Sequence, residues 1–291
     1  MNFQWYPGHM TKARRAMQED IRLVDLVIEL LDARAPLSSR NPDIDELAKN
    51  KARLIVLNKA DMAEETANRA WAEYFRSRGA FVVLLNARAG EGKKKIQEAI
   101  AQACREKTER DRRRGILNRP VRAMVVGIPN VGKSTFINMM AGRSSAKTGN
   151  KPGVTKGNQW IRLNKQVELL DTPGILWPKF EDQTVGLRLA WIGSIKDDIL
   201  NTTELALELI RFLQETDPVC LERRYGFVPD ASAVTVLEQI AEARNCRLRG
   251  NEPDLDRAAL LLMDDFRSVR LGRISLERPV AERSVDDEER K

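Results

Sequence analysis

Apolar, β-branched runs recur along the first part of the chain at the spacing of a parallel sheet. Five of them predict strands, at residues 25–31, 53–58, 80–85, 121–127 and 166–171, and residues 158–163 predict a strand that pairs with the last as a hairpin. Most gaps between the runs read as helices, for example residues 63–79 and 92–114. Strands that alternate with helices indicate βαβ units. The pattern therefore predicts an α/β fold with a doubly wound, mostly parallel sheet.

The pattern becomes helical after residue 183. Apolar residues recur at helical spacing in residues 185–198, 202–215, 232–245 and 254–269, and Pro218 and Pro229 interrupt them. We expect these stripes to form the core of a second, all-helical domain. The predicted domains span residues 1–180 and 181–280, and the polar, acidic residues 281–291 predict a disordered tail.

Composition narrows the class of protein. A chain of 291 residues with 42% hydrophobic and 31% charged residues fits a globular protein of one large domain or two. No run of eighteen apolar residues and no secretory signal occurs, so we expect a cytoplasmic protein without a membrane span. The scattered Cys104, Cys220 and Cys246 predict reduced, buried thiols, and with a single histidine a zinc site is not expected.

The net charge of +7 moderately favours a nucleic-acid partner. Basic residues are concentrated in residues 104–123 and at Lys12, Arg14 and Arg15. The second group indicates either RNA phosphate contacts or an ordinary solvated surface.

The clearest chemical motif is the glycine-rich loop "GIPNVGKS" at residues 127–134, between a predicted strand and a predicted helix. Backbone N–H groups of such a loop surround phosphate at the start of the helix, where the dipole favours anions. The lysine reaches the β- and γ-phosphates, and the serine hydroxyl ligates Mg²⁺. The motif predicts a nucleotide phosphate site at Asn130, Val131, Gly132, Lys133, Ser134 and Thr135.

Two later motifs supply the partners that this loop needs. Asp171 ends an apolar strand, as an aspartate that holds the Mg²⁺ shell must, and Gly174 of "DTPG" can offer its N–H to the γ-phosphate. Thr155 in "KPGVTKG" is suited to contact Mg²⁺ when a γ-phosphate is present.

The segment "NKAD" at residues 58–61 is a guanine-recognition pattern that precedes the phosphate loop instead of following it. Asp61 can accept hydrogen bonds from guanine N1–H and N2–H₂, Asn58 can donate to N7, and the Lys59 stem can cover the ring. The Ala87 N–H, after the next strand, can reach O6. The segment is either accidental or part of a permuted site. Its place at the end of a strand, where ligands bind in such sheets, favours a permuted GTP site.

The segments "WYPGHMTKARR", "DARAPLSSRNP", "LNKAD", "GIPNVGKSTFIN", "KPGVTKG" and "LLDTPGILWP" resemble those of the circularly permuted GTPases of the YlqF/YawG kind, over residues 3–180. The resemblance implies GTP hydrolysis tied to assembly of the large ribosomal subunit, with the C-terminal domain contacting rRNA. Related GTPases bind K⁺ at the position of Asn130, which could also be a simple turn asparagine. One departure is "NAR" at residues 86–88, where a Ser-Ala-Lys-like loop is usual, so Asn86 and Arg88 receive little weight.

The hydrolytic group is the least certain part of the predicted site. Ile175 and Leu176 stand near the position of the water-orienting glutamine of Ras-like proteins, and an apolar side chain cannot position water. His9, the single histidine, could accept a hydrogen bond from that water, or it could only dock the N-terminus or contact RNA. Asp32 and Arg34, at the end of a predicted strand, are expected to support a loop.

The leading functional hypothesis is a GTP-hydrolysing switch that binds a precursor of the large ribosomal subunit and is a monomer off the ribosome. The alternative is a partner-recruited signalling GTPase that does not act on RNA.

Overall fold

The computed structural model of the chain describes residues 8–117, 119–142, 159–172, 182–197, 200–229 and 232–279, without the side chains of residues 8–14 and 16. Its centre is a six-stranded sheet in the order β3-β2-β1-β4-β6-β5. All neighbouring strands are parallel except β5, which pairs antiparallel with β6. The strands are β1 Leu26–Asp32, β2 Ala52–Asn58, β3 Phe81–Leu85, β4 Val121–Val126, β5 Gln159–Arg162 and β6 Val167–Asp171. The predicted α/β fold with a mostly parallel sheet and a terminal hairpin is confirmed.

Helices that belong to this sheet cover both of its faces, as the continuous apolar strands require. All seven residues of β1 are buried, so this strand lies at the centre of the core. Trp71 and Phe75 of α3 pack on one set of strand residues, and Ile96 and Ile100 of α4 pack on another. The helices are α1 Gly8–Leu23, α2 Asp43–Leu47, α3 Glu65–Ser77, α4 Lys93–Ala103, α5 Arg105–Arg113 and α6 Lys133–Ala141.

The remaining helices form an all-helical part after the sheet. They are α7 Gln183–Trp191, α8 Thr202–Thr216, α9 Pro218–Tyr225, α10 Ala233–Ala243 and α11 Leu255–Arg267. Helix α9 was not predicted, although proline at a first helical turn is favourable. Helix α7 ends earlier than its predicted stretch, because Gly193 has φ 77° and leaves the helix. The apolar core continues from the sheet to Leu189 and Trp191, so the two predicted domains are in contact, and their boundary at residue 180 stays a prediction.

Other predictions concern single features. The three cysteines are buried free thiols, as predicted. The predicted helix over residues 92–114 is two helices, since α4 ends at Ala103 and α5 begins at Arg105, with Cys104 between them. Among the described residues, no helix has the length and apolar character needed to cross a membrane.

Candidate nucleotide site

The predicted site residues of the sheet meet at the carboxyl ends of its central strands. Asp32 ends β1, Asn58 ends β2 and Asp171 ends β6, while the glycine-rich loop follows β4. The crevice at this edge is where open parallel sheets bind ligands. The topology therefore brings together motifs that lie far apart in the chain.

The glycine-rich loop has the backbone that a phosphate site needs. Helix α6 begins at Lys133, and the residue before it, Gly132, has φ 99°. A Cβ at Gly132 would clash with the Asn58 Nδ2 atom, and the positive φ would strain any side chain at this position. The loop thus leads directly into a helix N-terminus, where backbone N–H groups and the dipole favour an anion.

The Lys133 side chain lies within this loop. Its Nζ donates to the carbonyl oxygens of Gly127 at 2.9 Å and Ile128 at 3.2 Å. Burial lowers the pKa of Lys133 from 10.5 to about 8, although the Asp171 carboxylate opposes that shift. A cation that is costly to bury, and whose hydrogen-bond partners in the described part of the chain are neutral carbonyls, gains strongly from a phosphate.

Asp171 has the environment of a ligand in a Mg²⁺ shell. Its Oδ1 is buried and has no hydrogen-bond partner among the described residues, and burial raises its pKa against the effect of Lys133. An uncompensated carboxylate oxygen facing a phosphate site suits a hydrated Mg²⁺ ion. With the Ser134 hydroxyl, Asp171 would hold that ion. Thr155 and Gly174, and also Ile175 and Leu176, lie outside the described residues.

Asn58 joins the phosphate loop to the loop after β3. Its Nδ2 donates to the Val131 carbonyl at 2.8 Å, and its Oδ1 accepts the Ala87 N–H at 3.1 Å. The Ala87 N–H, predicted to reach guanine O6, thus contacts Asn58 in this structure. The base contacts of both residues stay predictions, whereas the bridging role of Asn58 was missed.

Lys59 and Asp61 lie on a tight turn after β2. Lys59 has φ 58° and precedes a 3₁₀ turn at Ala60–Met62, on which Asp61 is exposed and available to a ligand. The Lys59 Nζ lies 2.9 Å from Asp32 Oδ2. Arg34 binds the same carboxylate with Nε at 2.9 Å and Nη2 at 2.8 Å. Burial opposes the charge of Asp32, but Arg34 and Lys59 outweigh it and hold the pKa of Asp32 well below its usual range.

Asn86 has a local role that sequence reasoning missed. Its Oδ1 accepts the backbone N–H groups of Arg88 and Ala89, each at 3.1 Å, and so closes the 3₁₀ turn that carries Ala87. An asparagine directly before a short turn is the signal that could have indicated this.

Asn130 connects the phosphate loop to the helical part. It has φ 58°, and its Nδ2 donates to the Gly193 carbonyl, just past the end of α7, at 2.7 Å. The K⁺ site predicted at Asn130 stays a prediction.

The predicted N-terminal residues all belong to α1, at its first turns. The side chains of His9, Lys12 and Arg14 lie outside the described part of the chain, and Arg15 is exposed. Catalysis by His9 and RNA contact by the basic residues therefore stay predictions.

Comparison with known proteins agrees with this geometry. The model of the family described as "50S ribosome-binding GTPase" matches residues 122–222. Ribosome biogenesis GTPase A of Bacillus cereus is 48% identical over 281 residues, which cover 96% of this chain and 95% of that protein. Crystallised YlqF from T. maritima is similar in its GNP-bound form, with TM-score 0.66 and 29% identity over 92% of this chain and 98% of the other. Its GDP-bound form gives TM-score 0.68 and 28% identity over 91% and 99% of the two chains.

Proposed function

The chain belongs to the ribosome biogenesis GTPase A family and is a GTPase, and we propose that it docks on an assembly intermediate of the large ribosomal subunit and promotes the maturation of that intermediate. GTP binding holds the docked state, and hydrolysis releases it. Action in the cytoplasm, as a monomer off the particle, is part of this proposal.

The proposed nucleotide site assigns each group a task. Lys133 and the loop N–H groups bind the phosphates, while Asp171, Ser134 and Thr155 would hold Mg²⁺, which would supply charge neutralisation at the transferring phosphoryl group. Asp61 and Lys59 hold guanine, and Asn58 fixes the two loops around it. Gly174 binds the γ-phosphate and His9 orients water, and Asn130 would hold a K⁺ ion that would supply further positive charge.

The observation that supports RNA binding is a basic surface at the end of the sheet opposite the nucleotide site, where the parallel strands begin. It is made of the end of α5, the starts of β4 and β6, the antiparallel strand β5, and the turn that joins β5 to β6. The Arg122 guanidinium lies 5.2 Å from the centroid of the Trp160 ring, whose side chain is 41% exposed. Its members are Arg112, Arg113, Arg114, Arg119, Arg122, Trp160 and Lys165, all exposed.

This basic surface has more positive charge than its own acidic residues compensate. Asp25 pairs with Lys107 at 3.2 Å and Arg119 at 3.5 Å, and Glu168 pairs with Arg122 at 3.3 Å. Arginines bind phosphates, and an exposed indole beside a guanidinium can stack on an unpaired base. The surface fits structured RNA with splayed bases and leaves the nucleotide edge open to respond to GTP. The N-terminal Lys12, Arg14 and Arg15 and the helical part are further proposed contacts.

The test is binding to purified large-subunit intermediates with GDP and with a non-hydrolysable GTP analogue. We expect tighter binding with the analogue and an affinity that falls steeply with salt, because phosphate neutralisation releases counterions. Replacing Arg112 and Arg113 by alanine should lower the salt slope by about 2. Arg69→Ala is the matched control, since that arginine is 73% exposed on α3, away from this surface.

Equal affinity with both nucleotides would contradict the switch. An unchanged salt slope in the double variant would remove the basic surface from the interface. No particle binding at all, with GTP hydrolysis intact, would favour the partner-recruited signalling GTPase.

A further inference from the structure

The end of the helical part returns to the nucleotide edge of the sheet. Residues 274–278, which we name the C-terminal strap, have no helix or strand and include Ile274, 4% exposed, and Leu276, 1% exposed. The Leu276 N–H donates to the Arg34 carbonyl at 2.8 Å. The strap therefore contacts the loop after β1 at Arg34, the residue that binds Asp32.

Glu277 holds that loop through its backbone and side chains. Its carboxylate accepts the N–H of Leu37, the N–H of Ser38 at 3.1 Å and the Ser38 hydroxyl at 2.7 Å. Arg188 of α7 donates to the same carboxylate at 3.0 Å. The Glu277 side chain is only 6% exposed, so the loop N–H groups have no ready replacement from water if it is removed.

The strap also fixes the other side of "NKAD". Ser275 Oγ accepts the N–H of Glu64 at 3.1 Å, and the Glu277 carbonyl accepts Trp71 Nε1–H at 3.1 Å. Glu64 is the residue before α3, just after the turn that carries Asp61. The loop after β1 and the residue that leads from the "NKAD" turn into α3 are thus both bonded to one short stretch of chain.

Asp32 passes this restraint to Lys59. The buried carboxylate is held by Arg34, whose guanidinium also lies 5.7 Å from the ring centroid of Phe266 in α11. The Lys59 ammonium bonds to Oδ2 of the same carboxylate at 2.9 Å, the oxygen that also accepts Arg34 Nη2. A lysine stem anchored at its tip loses most of its rotamer freedom before it covers a ligand.

We propose that the C-terminal strap sets guanine nucleotide affinity, with Asp32, Arg34 and Glu277 as positioning residues for Lys59 and the "NKAD" turn. This inference rests on the guanine assignment of the proposed function. Displacing the strap loosens the base side of the site and speeds nucleotide release, while the phosphate side keeps its geometry. A partner that binds the helical part could use this route to exchange nucleotide.

The test is the dissociation rate of fluorescent GDP from the full-length protein. We expect Glu277→Ala to speed dissociation on the order of tenfold, because it leaves buried N–H groups unsatisfied. Glu277→Gln keeps an acceptor oxygen and should recover part of that loss. In a single-turnover assay, with the protein in excess and at a concentration that binds all of the GTP, the hydrolysis rate should stay within about twofold of the wild type, whereas a merely misfolded protein would lose it.

Asp265→Asn is the matched control, because it breaks a buried ion pair of the helical part without removing a strap contact. Equal acceleration by Asp265→Asn and Glu277→Ala, or unchanged dissociation in Glu277→Ala, would overturn the proposal. In the wild type, reciprocity requires GDP to slow hydrogen exchange across residues 274–278, and unchanged exchange there would also count against it. A failure of Asp61→Asn to change base preference would instead reject the guanine assignment itself.

Discussion

The lowered pKa of Lys133 predicts that nucleotide binding is coupled to the uptake of a proton above pH 8. Its pKa is about 8, lowered from 10.5 chiefly by burial, so the charged form is disfavoured by about 3 kcal/mol. Phosphates favour the charged form and must raise that pKa in the complex. Below pH 8 the lysine is already charged and binding needs no proton. Above pH 8 the neutral lysine must first be protonated, so affinity falls as pH rises.

Between pH 7 and pH 9.5 the GDP affinity should fall roughly 10- to 30-fold, since one coupled proton costs up to about tenfold per pH unit. Calorimetry in two buffers of different ionisation enthalpy measures the uptake directly, which should rise from near zero at pH 7 toward one proton per GDP. Lys133→Arg is the control, because arginine stays charged over this range. Guanine N1–H also ionises in alkali, but it does so equally with both proteins. Identical pH profiles for wild type and variant would refute the reasoning.

Three further predictions test other parts of the molecule. Asp61→Asn should lose GTP and gain xanthosine triphosphate in competition binding, because the new amide donates where guanine would; retained GTP preference would reject the base contact. His9→Ala should lower particle-stimulated hydrolysis with little change in nucleotide affinity, and an unchanged rate would remove His9 from catalysis. In the same assay, replacing K⁺ by Na⁺ tests the predicted K⁺ site at Asn130. Asp265→Asn should lower the free energy of unfolding by about 3 kcal/mol in denaturant titration, because the carboxylate is buried and accepts hydrogen bonds from Arg224, Tyr225 and Arg270. Burial raises the pKa of Asp265, but the hydrogen bonds from Arg224, Arg270 and Tyr225 outweigh it, so the pKa is lowered in the folded protein. The stability that the carboxylate contributes is therefore present above pH 3.8 and is lost as the pH falls through the lowered pKa. The variant should show no such loss.

The strands of the sheet could be predicted because the apolar pattern of each one lies within its own short run of residues. A strand buried on both faces is a continuous apolar run, and each predicted run agrees with an observed strand to within one residue at each end. The chemistry could be placed for a related reason. Parallel strands put their carboxyl ends at one edge, so motifs that follow strands must meet there whatever their order in the chain.

The missed features depend on contacts between distant residues. Glu277 and Ser38 are hydrogen-bonded although they are 239 positions apart in the chain, and no sequence pattern of either residue indicates the other as its partner. Asn58 was assigned to the base because its motif is known for that role, but its two amide ends bond the Val131 carbonyl and the Ala87 N–H. The bridging role depends on how closely two loops approach, which only packing determines. Helix α9 was missed because proline was taken as an interruption and not as a start.

The contacts around the nucleotide site form a closed path through the helical part. Asn130 of the phosphate loop bonds the Gly193 carbonyl beyond α7, and Arg267 of α11 bonds the Trp191 and Ala190 carbonyls at 3.0 and 2.8 Å.

Next to Arg267, Phe266 contacts Arg34, which reaches Lys59 through Asp32. The path therefore leaves the site on its phosphate side and returns on its base side. The Asn130–Gly193 hydrogen bond at one end has a narrow geometry, and the other end depends on the contact of Phe266 with the Arg34 guanidinium, so a rotation of α7 and α11 as one body would disturb both ends together. A helical part attached in this way can respond to nucleotide and also influence it, because coupling between two binding events is the same in both directions.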